Sequence, residues 1–569
     1  MRRTLLLNLA IALLAALFFL PGLGSVRLFD WDEINFAESA REMLATGDWF
    51  NVCINFEPFW EKPPLFIWMQ ALSMKVFGVS EFAARLPNAL MGIVTLLLLF
   101  SIGRKTEDER FGLLWAMMYG ISFLPFLYFK SGIIDPWFNV FIFLGIYFFS
   151  RYADPGAEAL RMRHAALSAL FIGLAILTKG PVGLLVFGLT FVVWLAAHRF
   201  RLRFRWKDVA VWLLVLAAVG GSWFLLLALS GHKDVISDFI AYQVRLFRTK
   251  DAGHGGFLLY HFVILLLGVA PASVFALSTF RRSNIKQYGQ TCTSGLLGWM
   301  MCSFWVVLIL FTVVRTKIVH YSSFCYFPLT FLAAFAASRM LDGTLKLRRY
   351  QRVMLIVIAA MYAIVLLAIT CFDLYKEKII PFVHDPFAVS CMKANSDWIG
   401  FEPFVGLVLL GATVAFCAGF RKRPAPRHFV TLSAGNLIFA LTAILCVVPQ
   451  VERYSQATAV DFYKNLQGED CYVKPAYFKS YAHYFYTLRE PQNNCDDFER
   501  LCRGPLDKPC YFVVKDNPAD IQRLRDDAPE AELLYSGPGF LFFVREDRQQ
   551  RPDDQNDQAE QHGVVQEGE

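Results

Sequence analysis

The residues of this sequence that could do chemistry are few, and they sit in short polar breaks between long apolar runs. Residues 28–50, LFDWDEINFAESAREMLATGDWF, carry Asp30, Asp32, Glu33 and Glu38 directly after the apolar run 5–23. Further along come Glu61 and Lys62 in FWEKPPLF, Asp135 in SGIIDPW and Lys179 in LTKGP. Arg245 and Arg248 follow in YQVRLFRTK, then Lys317, His320 and Tyr321 in TKIVHYSS. A carboxylate beside a hydroxyl works as a general base. Lysine and arginine offset negative charge that develops on a departing group, and arginine grips oxyanions bidentately.

These residues must be positioned by a membrane protein. The chain has 569 residues, 56% hydrophobic and 18% charged, where a soluble protein carries about a quarter charged residues. Apolar runs near the length that spans a bilayer recur over the first 450 positions. They predict about thirteen spans: 5–23, 87–103, 111–129, 136–150, 165–178, 181–197, 208–229, 257–280, 295–314, 323–338, 353–372, 402–419 and 429–448. The first run reads as a span, because it is long and no clear small-residue cleavage site follows it. The net charge of +7 does not point to nucleic acid, since the basic residues lie mostly in short loops between spans.

Loop charge sets the orientation. With the N-terminus in the cytoplasm, the inside loops are RKTEDER, RYADPGAEALRMRH, HRFRLRFRWK, RRSNIKQ, RMLDGTLKLRRYQR and FRKRPAPRH, most of them dense in Lys and Arg. The same alternation puts every chemical candidate above on the opposite, outer face. Two helices are expected in the first outer loop 24–86, one in EINFAESAREMLAT and one in PPLFIWMQALSMKVFG. Both read as amphipathic helices lying on the outer membrane surface, with Glu38 and Glu42 on a solvated side.

Residues 1–449 thus form the transmembrane domain, and 450–547 a small outer α/β domain with strands in CYFVV and FLFFV and a helix in PADIQRLRDDA. The polar tail 548–569 reads as disordered. Of twelve cysteines, Cys471, Cys495, Cys502 and Cys510 fall in the outer domain. An even number in an oxidising compartment suggests two disulfides of unspecified connectivity, and free buried thiols are the alternative.

Each candidate taken alone has a plainer use. A Lys or Arg at a span end snorkels to the headgroups, and Asp135 before Pro136 suits a helix start. Acids and bases contributed to one face by several separate loops are what suggest a site at the membrane boundary. A transporter would instead show ionisable residues near span centres and repeats; no clear repeat is present, and the conspicuous charges sit at one face.

DWDEINFAESAREMLATGDW, FWEKPPLFIWMQALSMKVFGVSEFAARLPN, SGIIDPWFN, LTKGPVGLL and TKIVHYSSFCYFPL, in this order and spacing over roughly residues 25–330, resemble the lipid A aminoarabinose transferase branch of the GT-C glycosyltransferases. That branch is related to the protein O-mannosyltransferases, the dolichyl-phosphate-mannose-protein mannosyltransferase family. The resemblance implies a polytopic GT-C fold with about thirteen spans, two amphipathic helices in the first outer loop and an outer C-terminal domain. It implies transfer of a sugar from a polyprenyl phosphate to an envelope acceptor at the outer face of the inner membrane, with inversion. The acceptor is lipid A, another glycan or lipid, or a protein, and the sugar is not named.

The family's DE motif falls on Asp32 and Glu33, its EKP motif on Glu61 and Lys62, its second Asp on Asp135 and its TKGP lysine on Lys179. Arg245 and Arg248 best match the basic pair that meets the lipid phosphate, and Tyr321 matches the later tyrosine. Asp32 is then the expected general base, with Glu33 and Asp135 as the other catalytic candidates. Lys62, Lys179, Arg245, Arg248 and Tyr321 are expected around the donor phosphate, and Glu61, Lys317 and His320 in support. The lipid-linked sugar is a substrate and no cofactor is certain; a divalent metal is an open addition, with Glu61 as its candidate ligand. The chain departs from the branch at Asn35, where aminoarabinose transferases tend to carry Arg.

Overall fold

A backbone in hydrocarbon has no water to bond, so it must pair its own polar groups, and apolar runs close into helices. The computed structural model describes all residues except 1, 30–31, 60, 203, 232, 249–255, 282–294, 399 and 547–569, together with the side chains of 155, 157, 242–244 and 246–248. Asp30, the Arg248 side chain, most of the loop 281–287 and the tail 548–569 therefore lie outside the described residues.

In chain order α1 is Arg2–Phe19, α2 Asp32–Thr46, α3 Leu65–Phe77, α4 Glu81–Thr106, α5 Glu109–Gly120 and α6 Phe123–Tyr128. Then come α7 Asp135–Tyr152, α8 Arg161–Lys179, α9 Val182–Ala197, α10 Trp206–Gly220, α11 Ser222–Leu229 and α12 Lys233–Arg248. Among the described residues eight helices are long and apolar enough to cross a membrane: Arg2–Phe19, Glu81–Thr106, Glu158–Lys179, Leu296–Val313, Val319–Leu341, Arg349–Phe382, Glu402–Lys422 and Pro426–Arg453. The pair α10 and α11, bent by 52°, makes a ninth if it is one span. Of the other stretches read as spans, 111–129 divides into α5 and α6, α9 has 16 residues, and 136–150 lies in the unbroken 18-residue α7.

Contacts divide the chain into two units, Met1–Asp373 with Asp397–Gln450, and Leu374–Ser396 with Val451–Glu569. In the first, helices approach through small residues, the usual means of close packing where lipid is the solvent. A Cβ on Gly103 of α4 would stand 2.8 Å from Gly112 Cα of α5, and one on Gly145 of α7 would stand 2.4 Å from Ile172 of α8. The Ser168 hydroxyl of α8 donates to the Gly145 carbonyl at 2.9 Å. The helix Tyr326–Leu341 is buried along almost its whole length. Its Phe331 sets its ring edge-on to Trp115 of α5 at 4.9 Å, and its Phe327 stacks on Phe143 of α7 at 4.7 Å. Conversely, α1 presents Leu5, Leu6, Leu9, Leu13 and Leu17 outward, as a lipid-facing helix does.

The first outer loop differs from the sequence expectation. Nearly every side chain of α2 is buried, Glu38 and Glu42 included. Neither lies on a solvated face, and each has a partner within the protein. Arg41 grips Glu38 with two bonds of 2.7 Å. Glu42 accepts from the Asn55 and Phe56 backbone N–H groups at 2.6 and 2.9 Å. These two residues form the tight turn between β1 (Cys53–Ile54) and β2 (Glu57–Pro58), and both have φ of 61°. Two consecutive left-handed residues are what a two-residue hairpin turn demands. The Trp68 indole of α3 donates to the Trp49 carbonyl at 2.6 Å, tying α3 to the end of the same loop.

The second unit contains a four-stranded sheet in the order β3-β4-β6-β5, with β3 Tyr472–Ala476, β4 Cys510–Lys515, β5 Glu532–Gly537 and β6 Phe540–Arg545. β3 and β4 run parallel, and the other pairs are antiparallel. CYFVV lies in β4, FLFFV in β6 and PADIQRLRDD forms the helix Pro518–Asp527, whose N-cap Asn517 accepts from the Ala519 N–H at 3.1 Å. Leu374–Ser396 joins this unit from an earlier part of the chain: the Ser390 hydroxyl donates to Asp516 at 2.6 Å and accepts from the Gly539 N–H at 3.0 Å.

In the structure Cys471, Cys495, Cys502 and Cys510 are free, buried thiols, the alternative to two disulfides. Burial pushes the Cys471 and Cys502 thiols up to about 11 and raises Cys510 as well. These thiols are therefore poor sources of the thiolate that starts disulfide exchange.

Candidate functional site

The turn at residues 130–134, between α6 and α7, is clamped by three helices of the first loop and the second span. Asn88 of α4 donates from Nδ2 to the Ser131 and Ile133 carbonyls at 2.6 and 2.7 Å. Gln70 of α3 donates to the Gly132 carbonyl at 3.3 Å. Glu33 of α2 accepts from the Gly132 N–H at 2.5 Å. A Cβ on Gly132 would press to 3.1 Å from Glu33 Cγ and 3.2 Å from Gln70 Nε2, so a side chain here would push both back by a few tenths of an ångström. Lys130 donates to the carbonyls of Phe18, Phe19 and Pro21, which caps the end of α1. The clamped turn delivers Asp135 to the first position of α7.

Glu33 was expected beside Asp32 as a catalytic group. The structure instead engages both of its oxygens. Arg85 of α4 forks onto it with Nε and Nη2, each at 2.8 Å, and the Phe29 N–H adds a third donor at 2.8 Å. Arg85 also donates to the carbonyls of Leu23 and Val26 at 2.8 and 2.6 Å, and of Arg27 at 3.0 Å. This buried pair fixes where the chain leaves α1 and enters α2, and so it sets the position of Asp32.

Asp32 opens α2 with its side chain 44% exposed. His320 faces it, with Nε2 3.9 Å from Asp32 Oδ2. That distance is too long for a direct hydrogen bond and short enough for one bridging water or a modest closure. The other His320 nitrogen, Nδ1, meets the Tyr128 hydroxyl at 2.7 Å. His320 lies in the 3₁₀ turn Val319–Cys325, whose Ser323 donates to the His320 carbonyl at 2.6 Å and accepts from Asn139 of α7 at 2.9 Å. Ser323 Oγ is also 3.4 Å from Asp135 Oδ1. Asp135 is buried and accepts from Lys179 Nζ at 2.7 Å. The structure thus brings Asp32, His320, Asp135 and Lys179 into one connected set, open at Asp32 and closed at Asp135.

The other candidates divide. Glu61 and Lys62 pair with one another at 3.6 Å at the turn before α3. α12 docks through Phe239, whose ring tip would be 2.7 Å from a Cβ on Gly180, directly after Lys179. Arg245 is exposed on α12, six residues beyond Phe239 and so about 9 Å along the helix. The Tyr321 ring packs on Phe311 at 5.2 Å. Lys317, expected in support of the site, turns back onto its own helix. It donates to the Phe311, Thr312 and Val314 carbonyls at 3.0, 2.6 and 2.7 Å and caps the helix Leu296–Val313. Among the described residues no group of three or more His, Cys, Asp or Glu converges as a metal site.

Arg85, Asn88, Gln70 and Tyr128 were missed in the sequence. The signal was there for the α4 pair: an Arg and an Asn three apart at the start of an apolar span face one side of the helix, and a polar pair in such a place needs partners.

The clasp on the 55–56 turn makes the first loop sensitive to pH. Burial, with Glu38's charge beside it, pushes the Glu42 carboxyl up to about 8. A carboxyl raised on folding binds its proton more tightly in the folded state. Its stabilising contribution is whole below the ordinary carboxyl range and is lost as pH rises through about 8. The Tm of detergent-purified protein should fall over that window, and Glu42→Gln should flatten the fall. An equal slope in the variant would assign the effect to other groups.

The comparisons with known proteins agree with this architecture. The family described as dolichyl-phosphate-mannose-protein mannosyltransferase matches residues 61–223. An undecaprenyl phosphate-alpha-4-amino-4-deoxy-L-arabinose arabinosyl transferase from Edwardsiella ictaluri is 27% identical over 338 residues, 58% of this chain and 59% of that protein. One of the same description from Shewanella sediminis is 26% identical over 56% of this chain and 57% of that protein. The match thus spans less than two thirds of these relatives' own length. The crystal structure of ArnT from Cupriavidus metallidurans bound to undecaprenyl phosphate superposes with a TM-score of 0.76 at 18% identity, covering 96% of this chain and 99% of that one. The chain is thus similar in sequence to aminoarabinose transferases over a little more than half of its length, and it shares the fold of ArnT.

Proposed function

We propose that the chain transfers a sugar from a polyprenyl phosphate to lipid A at the outer face of the inner membrane, with inversion at the anomeric carbon. The observation that carries this reading is the half-exposed Asp32 facing His320, backed by the buried Asp135–Lys179 pair. The described binding of undecaprenyl phosphate by ArnT and the naming of the relatives as arabinosyl transferases support the donor class.

In the reaction the bond from the anomeric carbon to the phosphate oxygen breaks, and its electron pair leaves with the lipid phosphate. The acceptor hydroxyl attacks from the opposite side, and Asp32 takes its proton. The oxygens of Glu33 already serve four donors, which leaves Asp32 as the carboxylate open to an incoming hydroxyl. His320 orients Asp32 from its fixed place against Tyr128. Phosphate leaves as an anion, so it requires nearby positive charge more than a proton donor. Lys62, Arg245 and Arg248 supply that charge, and Tyr321 contacts the same donor phosphate. Lys179, already paired with Asp135, adds a partly neutralised charge and holds the start of α7.

Arg245→Ala and Lys62→Ala test the phosphate role. Each removes charge that meets the donor in both ground and transition states, so donor KM should rise several-fold with a smaller fall in kcat. In vitro transfer at varied donor concentration measures this, and an unchanged donor KM in both variants would remove these residues from the phosphate site. Orientation is tested by impermeant maleimide on intact cells in a background cleared of reactive native cysteines. A cysteine at 526 should label and one at 105 should not, and equal labelling would overturn the outer placement.

A further inference from the structure

A second polar cleft lies at the other end of the same helices. Asp135 and Lys179 stand where α7 begins and α8 ends. The cleft is lined from the end of α7, by Ser150, and the end of α9, by Trp194, with Trp299 beside them. The 18 residues of α7 put about 27 Å between the two places. The cleft has a volume of about 510 Å³ and no part in the chemistry described above.

Its lining is built for an anion at a membrane surface. Trp194 is stacked between Trp299, at 4.3 Å, and His198, at 4.1 Å. The Trp194 indole N–H is buried and has no hydrogen-bond partner among the described residues. An indole N–H can only donate, so it calls for an acceptor. Gly298 lies against this group: a Cβ there would come into contact with it, at 3.6 Å from Trp194 Nε1 and 3.7 Å from His198 Cε1. Arg199 and Arg201 also line the cleft. The one lining carboxylate, Asp154, is neutralised by Arg151 at 2.9 Å. Arg199 and Phe200 both hold left-handed φ, 54° and 57°, a costly pair for residues with side chains and one that turns the chain sharply over the cleft. Beyond it Phe200 and Trp206 are 70% and 86% exposed, as aromatics anchored at the headgroup level are.

We propose that this cleft binds the phosphate of an anionic glycerophospholipid headgroup in the leaflet opposite Asp32, with Arg199 and Arg201 on the phosphate oxygens and the Trp194 N–H donating to one of them. Basic pockets between spans at the cytoplasmic side take such headgroups. A soluble phosphate would satisfy the same donors, but the exposed aromatic rim favours a ligand that stays in the bilayer.

Native mass spectrometry of the full-length protein in mild detergent tests this with phosphatidylglycerol, phosphatidylethanolamine and inorganic phosphate as probes. Phosphatidylglycerol should bind in preference to phosphatidylethanolamine and should survive millimolar phosphate. Arg199→Ala with Arg201→Ala should weaken it about tenfold or more, as two lost surface charges do. Trp194→Phe, which keeps an aromatic ring in the stack and removes the N–H with the second ring, should weaken it several-fold, as should Gly298→Leu, which sets a bulky side chain against the N–H. If the arginine double variant fails to fold, as judged by gel filtration, the two single variants carry the test. Equal phosphatidylglycerol binding by wild type and folded variants would overturn the proposal. Equal binding of the zwitterionic lipid, or displacement by inorganic phosphate, would overturn the anionic-lipid assignment.

Discussion

Asp32→Asn should fold, should still bind polyprenyl phosphate, and should lose transfer by roughly 10²–10⁴-fold, the usual worth of general base catalysis. Asparagine keeps the size of the side chain and its ability to open α2, and it cannot take the acceptor's proton. The loss should appear in kcat with donor KM little changed, because Asp32 meets the acceptor rather than the phosphate. His320→Ala should lose less, since it removes the group that orients Asp32, 3.9 Å away, and leaves the base in place. Near-normal turnover by Asp32→Asn would remove Asp32 as the base. The partnered Asp135 would not be an easy replacement, since Lys179 Nζ already stands 2.7 Å from its Oδ1.

Arg85→Ala should have an equally large effect through stability. Removing one partner of a buried ion pair leaves the other charge uncompensated and costs about 3–5 kcal/mol. Here the variant strands Glu33 and also leaves the Leu23, Val26 and Arg27 carbonyls without their donor. Folded domains are stable by only about 5–15 kcal/mol, so little folded protein should be recovered. Gel filtration after detergent extraction reads this directly. Adding Glu33→Ala to Arg85→Ala should recover part of the loss, because the stranded charge is then gone. A stable Arg85→Ala protein that binds donor and fails to transfer would show that the pair acts in chemistry rather than in placing Asp32.

Much of this site was legible in the sequence because its residues interrupt apolar runs. Asp135, Lys179 and His320 stand at span ends, where a charge is conspicuous, and the structure brings them together with Asp32. The interior of the first loop was not legible. The polar positions of α2 look the same in sequence whether they face water or a polar protein interior. Glu38 and Glu42 therefore read as solvated, when their partners are Arg41 and the turn at 55–56. Arg85 lies 52 positions from Glu33, and nothing local distinguishes it from an arginine that snorkels to headgroups. Lys317 is the reverse case. It resembles a site residue by position, and only the fold shows its ammonium turned back onto the last carbonyls of its own helix. Leu374–Ser396 was read as a loop between spans, and its place in the second unit depends on contacts such as Ser390 with Asp516.

The most direct test of the proposed activity is mass spectrometry of lipid A after incubation of the purified protein with a polyprenyl-phosphate-linked aminoarabinose. The account predicts lipid A carrying the added sugar, formed by wild type and not by Asp32→Asn at matched protein and detergent stability. Sugar found on protein rather than on lipid A, or lipid A left unmodified by folded protein that binds the donor, would contradict it.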